Sequence, residues 1–208
     1  MNSLLGDFSM AAPASASTLS QAYWPTGAGR GTLLRNAVLI MVGVIAMAIA
    51  AKIKVPFWPV PMTMQTFVVL TVGAAYGGAL GAGTMLAYMI VGALGLDIFT
   101  SSSAEANGLS YMMGGTGGYL VGFVLAAFVL GKLAEAGWDR SVPKMAGAML
   151  IGNALIYVPG VLWLGYLYAD AQGWDWVIKW GLTNFVVADA LKLALAAALL
   201  PLLWRLKR

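Results

Sequence analysis

The 208-residue sequence contains no cysteine and no histidine. Their absence excludes disulfide frameworks, thiol nucleophiles and the usual zinc and haem ligands. Charge is scarce too: 10% of residues are Asp, Glu, Lys or Arg, against ~25% in soluble domains. Only eight residues are acidic, and they are scattered, so no clustered ligand set or cofactor site is expected. What fills the sequence is apolar, 61% hydrophobic residues with a mean hydropathy of +0.83. That composition predicts an all-α integral membrane protein, with lipid as its solvent. The formal charge of +4 reads as a topology signal, and nucleic acid is not an expected partner.

Several catalytic motifs are missing. The nearest approach to a Walker A loop, Gly131-Lys132, is followed by Leu133, which has no hydroxyl for magnesium. A rhomboid-type serine site needs a histidine base, and an intramembrane aspartyl protease needs two facing carboxylates. Asp189 is the one acid inside a long apolar run. No repeated selectivity element of a channel is visible. The reading is therefore of a protein that is not an enzyme and that takes any ATP-derived energy from elsewhere.

The first 29 residues hold one charged residue, Asp7, and are rich in Ala, Ser, Thr and Gly. They lack the positive start and compact apolar region of a secretory signal and are expected to form a flexible or interfacial tail, with Tyr23-Trp24-Pro25 at the headgroups. Residues 30–208 divide into six apolar segments, at about 33–53, 62–76, 79–96, 117–133, 145–168 and 176–203. Each approaches the roughly 20 residues that cross a bilayer, though the second is short. Gly77-Gly78 predicts a tight hairpin between the second and third, and Pro159-Gly160 predicts a kink in the fifth. With the N-terminus cytoplasmic, Arg30, Arg35, Lys132, Arg140, Lys144, Arg205, Lys207 and Arg208 lie inside, against Lys52, Lys54 and Lys179 outside. The excess inside places both termini in the cytoplasm of a bacterial cell. The long outer stretch 97–115, together with 53–61, is expected to form a lid.

Within the last segment stand Asp189 and Lys192, three residues apart and so on one helical face. Ionisable residues at bilayer depth point to a functional site. Mutual neutralisation in a structural ion pair is the competing reading, and it accounts poorly for the pair, because buried pairs do little for stability.

Three stretches extend this reading: Pro59-Val60-Pro61-Met62-Thr63-Met64-Gln65-Thr66, Thr116-Gly117-Gly118-Tyr119-Leu120-Val121-Gly122-Phe123, and Asp189-x-x-Lys192. In that order and spacing they resemble the BioY family, the biotin-binding S components of energy-coupling-factor (ECF) vitamin transporters. The resemblance runs from about residue 33 to the C-terminus. Gly115 and Asp97 stand where the family usually carries Pro. The resemblance implies a six-helix bundle of S-component type that captures biotin outside and releases it inside, energised by a T component and two ATPase subunits. It implies that Asp189 and Lys192 meet the ligand's head group: a carboxylate accepts from ureido N–H groups and an ammonium donates to the ureido carbonyl. Further candidates are Tyr119 and Thr116, whose neighbouring Gly117-Gly118 equally suits close helix packing, and Gln65, which either points inward or caps its helix. Asn107, Ser101, Ser103, Lys52 and Lys54 are candidates for the ligand's carboxylate. Asn153 is read as a pocket donor or an interhelical hydrogen bond, and Trp58, Trp163, Trp174, Trp176 and Trp180 as interface anchors. Ala46 and Ala50 form a small-xxx-small face for docking the T component. The alternative is a stand-alone facilitator or proton-coupled carrier in which Asp189 titrates, and a third reading is a scaffold without ligand.

Overall fold

The computed structural model describes residues 18–26, 29–55, 60–102 and 107–207. The tail before residue 18, Pro59, Trp58 and Ser103 lie outside the described residues.

Helices dominate because long apolar runs satisfy their backbone groups internally. In order they are α1 (Leu19–Tyr23), α2 (Arg30–Lys52), α3 (Gln65–Tyr76), α4 (Gly78–Ala93), α5 (Gly108–Met112), α6 (Gly117–Glu135), α7 (Val142–Gln172), α8 (Trp174–Gly181) and α9 (Val186–Lys207). A minimal ribbon, β1 (Lys54–Val55) with β2 (Met62–Thr63), is antiparallel and pairs Lys54 with Thr63. Helices α2, α6, α7 and the stretch Trp174–Lys207 are long and apolar enough to cross a membrane, while α3 and α4 are apolar but shorter.

Helix α6 is the centre of the bundle, with Phe123, Ala126, Ala127 and Leu130 all buried. It lies close to α7 because Gly122 has no side chain: a Cβ there would stand 2.7 Å from the Ile156 Cα. The predicted α3–α4 hairpin is present and turns on Gly77, whose φ of +89° suits glycine. One end of the bundle therefore gathers the ends of α2 and α4 and the starts of α3, α6 and α9. The other gathers the start of α2, the Gly77 turn, the 3₁₀ turn Trp138–Arg140 and the end of α9.

Two expectations need correction. Residues 18–26 are not a free tail: Thr18 caps α1, Leu19 is buried in the core, and the Tyr23 hydroxyl donates to the Leu203 carbonyl at 2.8 Å. The last segment, 176–203, is not one helix. It breaks at Leu182 (φ −138°, ψ −61°), passes through a 3₁₀ turn at Thr183–Phe185 and restarts as α9. The Tyr119 hydroxyl takes the Gly181 carbonyl at 2.7 Å, so that oxygen is turned to α6. The break places Asp189 in the first turn of α9, where the helix dipole favours an anion.

Candidate functional site

A cavity opens at the end of the bundle where α9 begins. Its apolar and aromatic wall includes Leu120 and Phe123 from α6, Ile156 and Tyr157 from α7, Tyr88 from α4 and Phe185 from the 3₁₀ turn. Phe99 closes one side, stacked on Tyr111 at 4.7 Å between ring centroids and edge-on to Tyr88 at 5.4 Å. Burial pushes the Tyr111 phenol up to about 12, against a smaller opposing hydrogen bond with Thr116. The phenol is therefore a neutral group at physiological pH.

Asp189 and Lys192 form the polar floor, and both are buried. The Lys192 Nζ donates to Asp189 Oδ1 and to the Thr63 carbonyl, each at 2.6 Å, and to Thr66 Oγ1 at 3.3 Å. Asp189 Oδ1 also accepts from the Thr66 hydroxyl at 3.2 Å, and Oδ2 accepts from the Tyr157 hydroxyl at 2.5 Å. The three ammonium donors are thus engaged, while a carboxylate with about four acceptor positions retains one. Charge on the floor sums to zero, so it suits a polar, uncharged group with both donors and acceptors. Above it, the Gln65 amide donates to the Tyr88 hydroxyl at 2.9 Å, which donates to the Ile98 carbonyl at 2.9 Å. Thr100 also lines the cavity, and its buried hydroxyl has no hydrogen-bond partner among the described residues.

The segment after α4 is tied down over this end. Lys52 donates to Asp97 at 2.7 Å and to the Phe99 carbonyl at 3.0 Å, and Lys54 donates to Ser101 at 2.7 Å. The hydrogen bond from Lys52, joined by one from the Ser102 hydroxyl, holds the Asp97 carboxyl below the usual range. Among the described residues, no group of three or more acidic, His or Cys side chains gathers to hold a metal.

Comparison with known proteins places this geometry. The family model described as the BioY family matches residues 17–208. The chain belongs to the BioY family. The match begins 16 residues ahead of the resemblance read from motifs, and it takes in α1. Among the relatives is the biotin transporter BioY of Thermotoga maritima, 34% identical over 161 residues, covering 76% of this chain and 90% of that protein. A probable biotin transporter BioY of Pyrococcus horikoshii is 34% identical over 158 residues, covering 76% and 89%. The fold is similar to a crystal structure of the S-component for biotin from an ECF-type ABC transporter, with a TM-score of 0.72 at 19% identity, covering 86% of this chain and 95% of that one. The BioY chain is thus a multi-pass membrane protein of a transporter family, not an enzyme.

Of the residues singled out from sequence, the fold brings Asp189, Lys192, Gln65, Thr116 and Tyr119 to the one cavity. Tyr119 serves twice, since its ring packs on Gly160 while its hydroxyl holds Gly181. Asn107 is not in the wall: it caps α5, accepting from the Gly108 N–H at 2.8 Å and donating to the Gly95 carbonyl at 2.6 Å. Ser101, Lys52 and Lys54 are engaged in the loop contacts, and Asn153 does not line the cavity. Of the Ala46–Ala50 pair, Ala50 is 3% exposed and Ala46 is half-buried. The outward face of α2 carries Leu34, Met41, Ile45 and Ile49.

Sequence reasoning missed Tyr157, Thr63, Thr66, Tyr88, Phe99, Thr100 and Tyr111. Two of these carried a signal: Thr63 and Thr66 sit in the proline-rich motif, three residues apart, on either side of the start of α3. Tyr157 left only an amphipathic ring in an apolar run, a weak pointer.

Proposed function

We propose that this BioY protein captures biotin in the α3–α6–α7–α9 cavity and passes it across the membrane as the substrate-binding subunit of an ECF transporter. The observation that carries the reading is the neutral Asp189–Lys192 floor, with one acceptor position open, beneath an aromatic wall. The ureido head of biotin offers two N–H donors and one carbonyl acceptor, and desolvating each without a partner costs about 1–3 kcal/mol. The open acceptor position on Asp189 takes one N–H. The ureido carbonyl replaces the longest ammonium contact, Lys192 to Thr66 at 3.3 Å, so that ligand entry exchanges a bond and leaves no charge exposed. The apolar remainder of the ligand rests against Phe123, Ile156 and Phe185.

In this reading α3 and α4 complete a six-span bundle with α2, α6, α7 and the α8–α9 stretch, in a bacterial cell membrane. The basic residues at the end of the bundle opposite the cavity support cytoplasmic termini. The cavity then faces outward, and a T component with two ATPases supplies the energy. Equilibrium binding of biotin to purified protein tests the site. Asp189→Asn and Lys192→Ala are each expected to weaken binding at least tenfold, about 1.4 kcal/mol. Unchanged affinity in both variants rejects it. Uptake in cells lacking the coupling subunits, with and without a proton gradient, separates ATP-coupled transport from a stand-alone carrier.

A further inference from the structure

At the opposite end of the bundle, α1, the start of α2, the Gly77 turn and the end of α6 line a second recess of about 400 Å³. Its wall includes Thr18, Gln21, Arg35, Asn36, Tyr76 and Glu135. Arg35 is 7% exposed, although its guanidinium is charged at every physiological pH. A cation so far removed from water is normally offset by a carboxylate or a bound anion. Here its partners are neutral: Asn36 Oδ1 accepts from Nε at 3.2 Å and from Nη2 at 3.0 Å, and the Trp24 carbonyl accepts from Nη1 at 3.3 Å. No carboxylate among the described residues forms an ion pair with it. Two of its five N–H donors remain.

The acid that shares the recess is already taken. Glu135 Oε2 accepts from Lys132 at 2.8 Å and Oε1 from the Gly78 N–H at 2.9 Å. Counting Arg35 and Lys132 against Glu135 leaves one positive charge without a match. Threonine and tyrosine hydroxyls and two carboxamides line the same space, and a tetrahedral oxyanion uses such donors together with an arginine fork. Arg35 lies five residues inside α2, about 7.5 Å along its axis from the helix start.

We infer that this recess binds a phosphate group, with Arg35 as its counter-cation. The phosphate is supplied either by the headgroup of an anionic phospholipid or by a soluble phosphate from the aqueous side. Delipidated full-length protein in detergent, titrated separately with short-chain phosphatidylglycerol and with inorganic phosphate while its melting temperature is followed, tests the inference. A saturable rise with phosphatidylglycerol alone assigns a lipid headgroup, and a rise with both probes assigns free phosphate. In either case Arg35→Gln is expected to raise the dissociation constant at least tenfold, and Glu135→Gln, which removes the negative charge from the wall, to lower it severalfold. If Arg35→Gln gives no cooperative melt, Arg35→Lys takes its place and is expected to bind several times more weakly than wild type. A wild-type protein insensitive to both probes, or an arginine variant that responds like wild type, overturns the inference.

Discussion

Asp189 is held by three donors from three directions: Lys192 on its own helix, Thr66 on α3 and Tyr157 on α7. This cage gives a buried carboxylate three hydrogen bonds from the protein itself. Thr100 is its opposite, a buried hydroxyl in the same wall with no partner among the described residues. An unsatisfied buried hydroxyl costs about 1–3 kcal/mol, and replacing it with an apolar group of the same shape removes that cost. Thr100→Val is therefore expected to raise the melting temperature of the ligand-free protein, by the equivalent of about 1 kcal/mol. The same variant is expected to bind biotin severalfold more weakly, because the bound ligand is the partner the hydroxyl lacks. A lower melting temperature, or unaltered affinity, contradicts that assignment.

At the scale of helices, the site depends on how closely α6 and α7 approach, since Tyr119 and Tyr157 face one another across that contact with ring centroids 6.0 Å apart. Gly122→Ala places a methyl against the Ile156 backbone, which cannot yield as a side chain does. A loss of about 1–3 kcal/mol is expected from such overpacking. Gly83→Ala is the control: a Cβ there meets nothing within 4 Å. Thermal unfolding of the two variants reads the difference, with Gly83→Ala at or slightly above wild type. The hairpin at Gly77-Gly78 was legible in the sequence because two glycines between apolar runs leave little alternative. Asp189 and Lys192 were legible because charge in an apolar run stands out. The break at Leu182 was read through as helix although Gly181, Thr183 and Asn184 interrupt the apolar run there, and the hydroxyl that holds the Gly181 carbonyl lies on α6, 62 positions earlier. Tyr157 was illegible for the same reason: its partner lies 32 positions away.

Across the whole molecule, the end opposite the cavity is joined through Asp139. This fully buried residue of the 3₁₀ turn accepts from the Trp204 indole at 2.5 Å, while its other oxygen has no partner among the described residues. The Arg140 guanidinium lies 4.8 Å from the Trp204 ring centroid, on the last turns of α9. Burial raises the Asp139 carboxyl above the usual carboxylate range, outweighing the Trp204 hydrogen bond and the charge of Arg140. A group that binds its proton more tightly when folded favours folding most at low pH. That contribution is lost as pH rises from the ordinary carboxylate value through the raised one. Asp139→Asn is expected to keep the indole bond, to melt higher than wild type at neutral pH and to reduce the difference in melting temperature between mild acid and neutral pH. Melting curves across that range check it, and an unchanged pH profile would falsify it. A last consequence concerns time. Lys192 reaches the Thr63 carbonyl across 129 positions of sequence, an interval that a ribosome working at 5–20 residues per second covers in roughly 6–26 s. Until then Thr63 and Thr66 wait in the nascent bundle without the ammonium that binds them, so the vessel acquires its floor only when the final helix is delivered.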